Sequence, residues 1–175
     1  MGVISAPKKA KLFCGIISSS AEIEQKSLAG LEKKFGEIDL TSTVIPFDFS
    51  DYYNPEMGGN LKRFWISFKK LITAADIAGI KIFTNSTEAS FSVNNKRQIN
   101  IDPGYITPAT VILATTKDYS HRIYLSDGIY GEVTAIYKKA AVVKLPWSYP
   151  DYLSNTAKEF LLKARKDLIE QLRTA

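Results

Sequence analysis

The sequence predicts an α+β sandwich: a ferredoxin-like strand–helix–strand–strand–helix–strand order, extended by a short helix, a β-hairpin and a C-terminal helix. Three observations carry this prediction. Residues 11–17 are a continuous apolar run, as a central strand requires. Two segments, around Ile45–Phe49 and Arg63–Lys69, alternate with period two. Apolar stripes at helical spacing separate or follow them.

Ser19, with Glu22 three positions on, has the spacing of a capping box, hydroxyl to backbone one way and carboxylate back the other. The helix it opens carries Ile23, Leu28, Leu31 and Phe35 on one stripe, and Gly36 stops it. Ile45, Phe47 and Phe49 form a strand that Pro46 confines to an edge or a bulge, because proline has no ladder donor. In the next strand Phe64, Ile66 and Phe68 point one way, and Arg63, Trp65, Ser67 and Lys69 the other. These two runs are expected to pair antiparallel.

Thr73 caps a second helix, with Asp76 near its positive end and Ile77, Ile80, Phe83 and Phe91 on its apolar side. Asn94-Asn95-Lys96 is a turn, and Ile99 and Ile101 point inward from the strand after it. Pro103-Gly104 reads as a turn. Thr107-Pro108 reads as the cap and first residue of a short helix through Val111, Ile112, Ala114 and Thr115, though its β-branched content leaves a strand open. The chain closes with an amphipathic helix over residues 155–172.

The hairpin around Asp127-Gly128 has two candidate registers. A two-residue loop would set Ile123 against Glu132 and mix charged with apolar residues on each face. A three-residue loop, Ser126-Asp127-Gly128, sets Leu125 against Ile129, Ile123 against Gly131 and His121 against Val133. Its other face then pairs Tyr124 with Tyr130 and Arg122 with Glu132. Buried alternation specifies register, so the three-residue loop is preferred.

At 175 residues the chain has the size of one domain, here residues 11–175 behind a flexible arm of residues 1–10. Cys14 is the single cysteine, so no intrachain disulfide forms, and its place in an apolar strand makes it a core thiol. No apolar run is long enough to span a membrane, and the start lacks an apolar region behind a charged end. The expected address is the cytoplasm. Net charge is +5, but the basic residues are mostly lysines interspersed with acids, so the surface reads as solvated and nucleic acid is not the expected partner.

Phosphate-loop, dinucleotide-fingerprint and nucleophile-elbow patterns are absent, and one His with one Cys serves zinc poorly. What remains is a density of polar groups from residue 100 to 132. His121, Asp102 and Glu132 are the candidates for catalysis, and Tyr105, Lys117, Asp118, Arg122 and Tyr130 for ligand binding. Tyr105 would stand at the short helix's start, where free N–H groups attract anions. Asp102, Asp118 and Glu132 offer oxygen ligands to a divalent cation. Turn formation and surface pairing, including Asp127 in its turn, account for the same residues without a ligand. A second cluster, Asp48, Asp51 and Glu56 with Tyr52 and Tyr53, is explained almost as well by turns.

Several longer motifs resemble one family. They are Pro46-Phe47-Asp48-Phe49 with Asp51-Tyr52-Tyr53 and Glu56-Met57-Gly58, then Asn100-Ile101-Asp102-Pro103-Gly104-Tyr105 and Leu113-Ala114-Thr115-Thr116-Lys117-Asp118. His121-Arg122-Ile123-Tyr124-Leu125, Asp127-Gly128-Ile129-Tyr130 and Pro146-Trp147-Ser148-Tyr149-Pro150-Asp151-Tyr152 complete them. From Lys11 on, the chain is similar to the prokaryotic family catalogued as domain of unknown function 4416. Gly131 departs from its pattern, where a larger residue such as alanine is expected. The resemblance implies a small prokaryotic cytoplasmic protein and carries no activity, cofactor or catalytic residue with it.

Three functions remain in view. The first is binding of, or action on, a small anionic or nucleotide-like ligand at the Asp102–Glu132 cluster. The second is a non-catalytic interaction module or homo-oligomer using Trp65, Trp147, Tyr149 and Tyr152, which alternatively pack as a core lid. The third is RNA binding on an open sheet face, with Trp65 stacking a base.

Overall fold

In the structure, a computed structural model that describes residues 2–174, nine strands form one antiparallel sheet with helices on both faces. The central strand β1 (Ala10–Ser18) is buried along its whole length. It is followed by α1 (Ala21–Phe35), β2 (Ile38–Thr41), β3 (Ile45–Pro46), the single turn α2 (Asn54–Met57) and β4 (Lys62–Ile72). A 3-10 turn (Ala74–Asp76) leads into α3 (Ile77–Ser90), and β5 (Ile99–Ile106), β6 (Thr110–Thr115), β7 (Ile123–Ser126), β8 (Ile129–Lys138), β9 (Ala141–Lys144) and α4 (Asn155–Thr174) complete the chain. The sheet order is β2-β4-β1-β5-β6-β8-β7, with β3 on β4 and β9 on β8.

Alternation along the strands builds two cores. Leu12, Cys14 and Ile16 of β1 join Phe64, Ile66 and Phe68 of β4 under α1 and α3. On the opposite face Phe13 and Trp65 join Phe160, Leu161, Ala164 and Leu168 of α4. Each large apolar side chain buried there contributes about 1.5–3 kcal/mol, so packing rather than intrinsic propensity holds α4. Trp65 is wholly buried beneath this helix, which removes it as a base-stacking platform. Cys14 is equally buried, and burial pushes its thiol well above the ordinary range, leaving it an inert core residue.

Local signals place most boundaries. Ser20, one residue beyond the expected cap, accepts the Ile23 N–H at 3.4 Å. Gly36 ends α1 at φ 97°, its N–H on the Glu32 carbonyl. The Thr73 N–H donates to Asp76 Oδ2 at 3.0 Å as the chain enters α3. Pro46 does sit at an edge, but the strand it belongs to is only two residues long. Phe47 and Phe49 leave the sheet, and the Phe47 ring packs on Phe49 and Tyr53, centroids 5.8 and 5.6 Å away. The sheet edge beside β4 is supplied instead by β2, a short segment without a strong apolar signal.

The expected Pro103-Gly104 turn and Thr107–Thr115 helix do not form. Pro103 and Gly104 lie inside β5, and residues 110–115 are a strand. Thr107 does act as a cap, but of a hairpin turn: its hydroxyl accepts the Thr110 N–H at 2.9 Å and the Ala109 N–H at 3.1 Å. The β-branched run Thr110-Val111-Ile112 then favours the pleated surface over a helix.

In the hairpin, Ile123 faces Gly131 and Tyr124 faces Tyr130, as expected. The turn itself is different. Ser126 pairs with Ile129, so Asp127 and Gly128 form a two-residue turn with φ 52° and 76°, and the extra residue is a bulge at Leu125. The chain satisfies both the Asp-Gly turn preference and the register by moving the irregularity into an edge strand. That strand has no layer over it: Ile123 is 72% exposed and Leu125 42%. Their face was expected to be buried: its β8 half, Ile129 and Gly131, is, and its β7 half is not.

One consequence of sequence positions the site. β5 and β6 pair only over Gly104–Ile106 and Val111–Leu113. The next pair in that register is Pro103 with Ala114, and Pro103 has no N–H to give. The ladder ends there, and β5 and β6 part as a fork. Among the described residues no helix is long and apolar enough to cross a membrane.

Candidate functional site

The fork holds a cavity of about 380 Å³. Its floor is the part of the α4-side sheet face that α4 does not cover, carrying Arg63, Asp102 and Glu132. One wall is the loop with Phe47, Phe49, Tyr52 and Tyr53, and another is the segment from Tyr149 to Tyr152.

Arg63 is 1% exposed. Its Nη2 lies 2.9 Å from Asp151 Oδ2 and its Nη1 3.5 Å from Asp102 Oδ2. The guanidinium carbon lies 4.8 Å from the Trp65 ring centroid and 5.1 Å from that of Tyr152. Space for it exists because position 15 is glycine: a Cβ there would stand 2.6 Å from Arg63 Nη2 and 2.8 Å from the Tyr152 hydroxyl. Burial works against the Arg63 cation, but Tyr152, Asp151 and Asp102 together outweigh it and raise its pKa. Burial raises the Asp151 carboxyl, with Arg63 opposing it.

Helix α3 fills the place of the missing partner strand. Glu88 Oε1 accepts the Ile101 N–H at 2.6 Å, and Lys81 Nζ donates to the Ile101 carbonyl at 3.2 Å. Backbone groups orphaned by the fork are thereby satisfied by side chains. Lys81 Nζ is also 3.9 Å from Asp102 Oδ1, and Asn100 donates to Asp102 Oδ2 at 2.7 Å. Arg97 forms a bidentate pair with Glu56, 2.8 Å on each branch, and reaches Glu88 at 3.0 Å. This pins α2 and its loop to the rim. The Arg97 hydrogen bonds hold the Glu56 carboxyl below its usual range, whereas burial raises Glu88 despite Lys81.

On the β8 bank Glu132 is buried and accepts from Arg122 Nε at 2.6 Å and from the Thr134 hydroxyl at 3.1 Å. His121 Nε2 is 3.4 Å from the same carboxylate. Arg122 also donates to the Tyr149 hydroxyl at 2.8 Å and the Lys117 carbonyl at 3.0 Å. Burial pushes the Tyr149 phenol up to about 12. Lys117 donates to the Tyr52 hydroxyl at 3.2 Å across the mouth. A second, more open cleft of about 270 Å³ adjoins, lined by Lys117, Tyr119, His121, Arg122, Trp147 and Tyr149. In it the His121 ring stacks on Trp147, centroids 5.0 Å apart and 16° from parallel.

Of the residues expected at a site, Asp102, Lys117 and Glu132 line the cavity, while His121 and Arg122 line the adjoining cleft with Lys117. Tyr105 does not join them. It lies in β5 with its ring on the α1/α3 core, and the helix start imagined beside it is absent. Asp118 and Asp127 are exposed, and Tyr130 packs on Tyr124 at the sheet edge. The three carboxylates weighed as cation ligands are not together: among the described residues no three His, Cys, Asp or Glu side chains form a group that could hold a metal.

Sequence reasoning missed Arg63, Lys81, Glu88, Arg97 and Asp151. Arg63 had a legible signal, a charged side chain opposite Phe64, Ile66 and Phe68 in a strand covered on both faces. Tyr52, Tyr53 and Glu56, from the second cluster, turn out to be the first cluster's wall and rim.

A search of curated proteins and a search of solved structures each returned no match. The family model described as domain of unknown function (DUF4416) matches residues 8–168. The chain belongs to this family.

Proposed function

We propose that the fork cavity binds a small nucleotide-like molecule, with its ring between the aromatic walls and its polar groups on the charged floor. The observation that carries this is the convergence of Arg63, Lys81, Glu88, Asp102, Glu132 and Asp151 on one cavity. A buried ion network is a poor source of stability, because desolvation offsets most of the attraction; around a concavity it fits recognition. The volume is within the range of about 300–1,000 Å³ typical of small-molecule sites. Asp102, whose side chain is 28% exposed, is the floor carboxylate placed to accept a hydrogen bond from a ligand hydroxyl or amine. We further read residues 11–175 as one cytoplasmic domain. Its strand order β2-β4-β1-β5, with α1 and α3 on one face, supports a ferredoxin-like core.

A thermal-shift screen of nucleosides, nucleotides, sugar phosphates and divalent metals tests the site. A ligand at a hundred times its dissociation constant adds about 2.7 kcal/mol of stability. Asp102→Asn is expected to shrink the shift. A flat screen sinks the proposal.

The exposed apolar edge of β7 favours a second reading, a contact between copies: Ile123 is 72% exposed and Tyr124 58%, with no charged residue between Ile123 and Ser126 to guard the strand. Sedimentation should then show a dimer that Ile123→Lys converts to monomer. A monomeric wild type removes this reading.

A further inference from the structure

We propose that the ligand carries a single phosphate, and that this phosphate lies in the outer cleft between Lys117, His121 and Arg122. The inference rests on the fork cavity being a ligand site and adds where the anionic end goes. The two concavities share Lys117 and Tyr149, so one molecule can occupy both.

Charge sorts the two halves. In the inner cavity Arg63, Lys81 and Arg97 each already face a carboxylate, and Asp102, Glu88 and Asp151 would repel an anion held close to them. Among the described cavity-lining cations, Lys117 alone has no carboxylate within ion-pair distance, and it stands at the boundary with the outer cleft. The lining of that cleft contains no carboxylate, and Asp118, although next in sequence, is exposed and outside it.

The donors there are also oriented in advance. Arg122 is gripped by Glu132, the Lys117 carbonyl and the Tyr149 hydroxyl, which together use three of its five N–H groups. Its remaining two, and those on Lys117 that Tyr52 does not take, are the charge-assisted donors that a phosphate selects. His121 is held in plane by Trp147 on one side, and Tyr119 is 6.2 Å away. Glu132 behind Arg122 offsets part of the positive charge, which suits one phosphate rather than two or three.

The experiment is calorimetric titration of the intact chain with the four ribonucleosides and their 5′-monophosphates, on wild type and on Lys117→Met and Asp102→Asn. For the base that binds, the monophosphate should bind about tenfold more tightly than the nucleoside, the gain expected of one charge-assisted contact. In Lys117→Met that ratio should collapse towards unity, whatever the change in nucleoside affinity. In Asp102→Asn both ligands should weaken and the ratio should persist. Nucleoside binding with no phosphate preference, or a preference that survives Lys117→Met, overturns this inference and leaves the cavity reading standing. Binding of none of the eight overturns both.

Discussion

Arg63→Met is expected to destabilise the protein by about 3–5 kcal/mol at neutral pH, the cost of leaving a buried charge without its partner. Methionine fills much of the arginine stem's volume, so the loss is chiefly electrostatic. Asp151, 8% exposed in its side chain, bears most of it, because its Oδ2 is 2.9 Å from the guanidinium. Asp102 bears less, since it is 28% exposed and keeps Asn100 and Lys81. Urea denaturation gives the magnitude, and adding Asp151→Asn to the variant supplies the control. Removing the stranded charge should return a good part of the lost stability. A second substitution that merely adds its own cost would show that Arg63 acts by packing.

The sign of the pH dependence gives an independent check. Burial already raises the Asp151 carboxyl in the native protein, and Arg63 is the principal group opposing that rise. A carboxyl whose folded pKa is raised binds more protons folded than unfolded. Its contribution to stability is therefore most favourable below the unfolded value and falls as pH climbs through the folded one. Without Arg63 the folded value rises further, and the falling window widens upwards. The Arg63→Met penalty should accordingly shrink on acidification as Asp151 takes up a proton. A penalty that is flat from neutral to mildly acidic pH would place the lost energy elsewhere.

Such groups were hard to see in the sequence, for a reason of distance along the chain. β1, α1, β4 and α4 were legible because the apolar period of each is local, and local pattern matches the burial found. Asp102, Lys117, His121, Arg122 and Glu132 were legible as a group because they lie within some thirty positions of one another. Arg63, Lys81 and Asp151 arrive from separate elements, and only the folded sheet brings them beside Asp102. Tyr105 shows the reverse error. Beyond a turn at Pro103-Gly104 it would stand at a helix start near Asp102, but in a continuous strand the odd spacing between them sends it to the opposite face. The mistake began with Pro103-Gly104, taken for a turn. Proline usually ends a strand's pairing, and here it does so on one edge alone: the β1 side of β5 stays fully paired while the β6 side opens.

That makes the next residue the hinge point of the fork, and Gly104→Ala the second severe substitution. Gly104 pairs with Phe13 on one side and Leu113 on the other, in the last rung before the strands part. A Cβ there would overlap the Ile112 carbonyl oxygen and stand 2.7 Å from the Phe13 ring. Neither neighbour can yield cheaply. Ile112 is backbone in the β5–β6 ladder, and Phe13 is wholly buried, with Tyr152 and Phe160 rings 6.4 and 6.5 Å from it. The expected cost is about 3 kcal/mol, the upper part of the range for overpacked cores. Relief has to come from moving β6 away from β5, which shifts Leu113 and its β8 partner Glu132 relative to Asp102. Gly104→Ala should therefore weaken any fork ligand as well as lower the urea midpoint. Gly79→Ala, in α3 with nothing within 4 Å of the added methyl, should do neither. Equal behaviour of the two variants would mean that β5 and β6 are not held at this rung, and the account of how the cavity is kept open would fall with it.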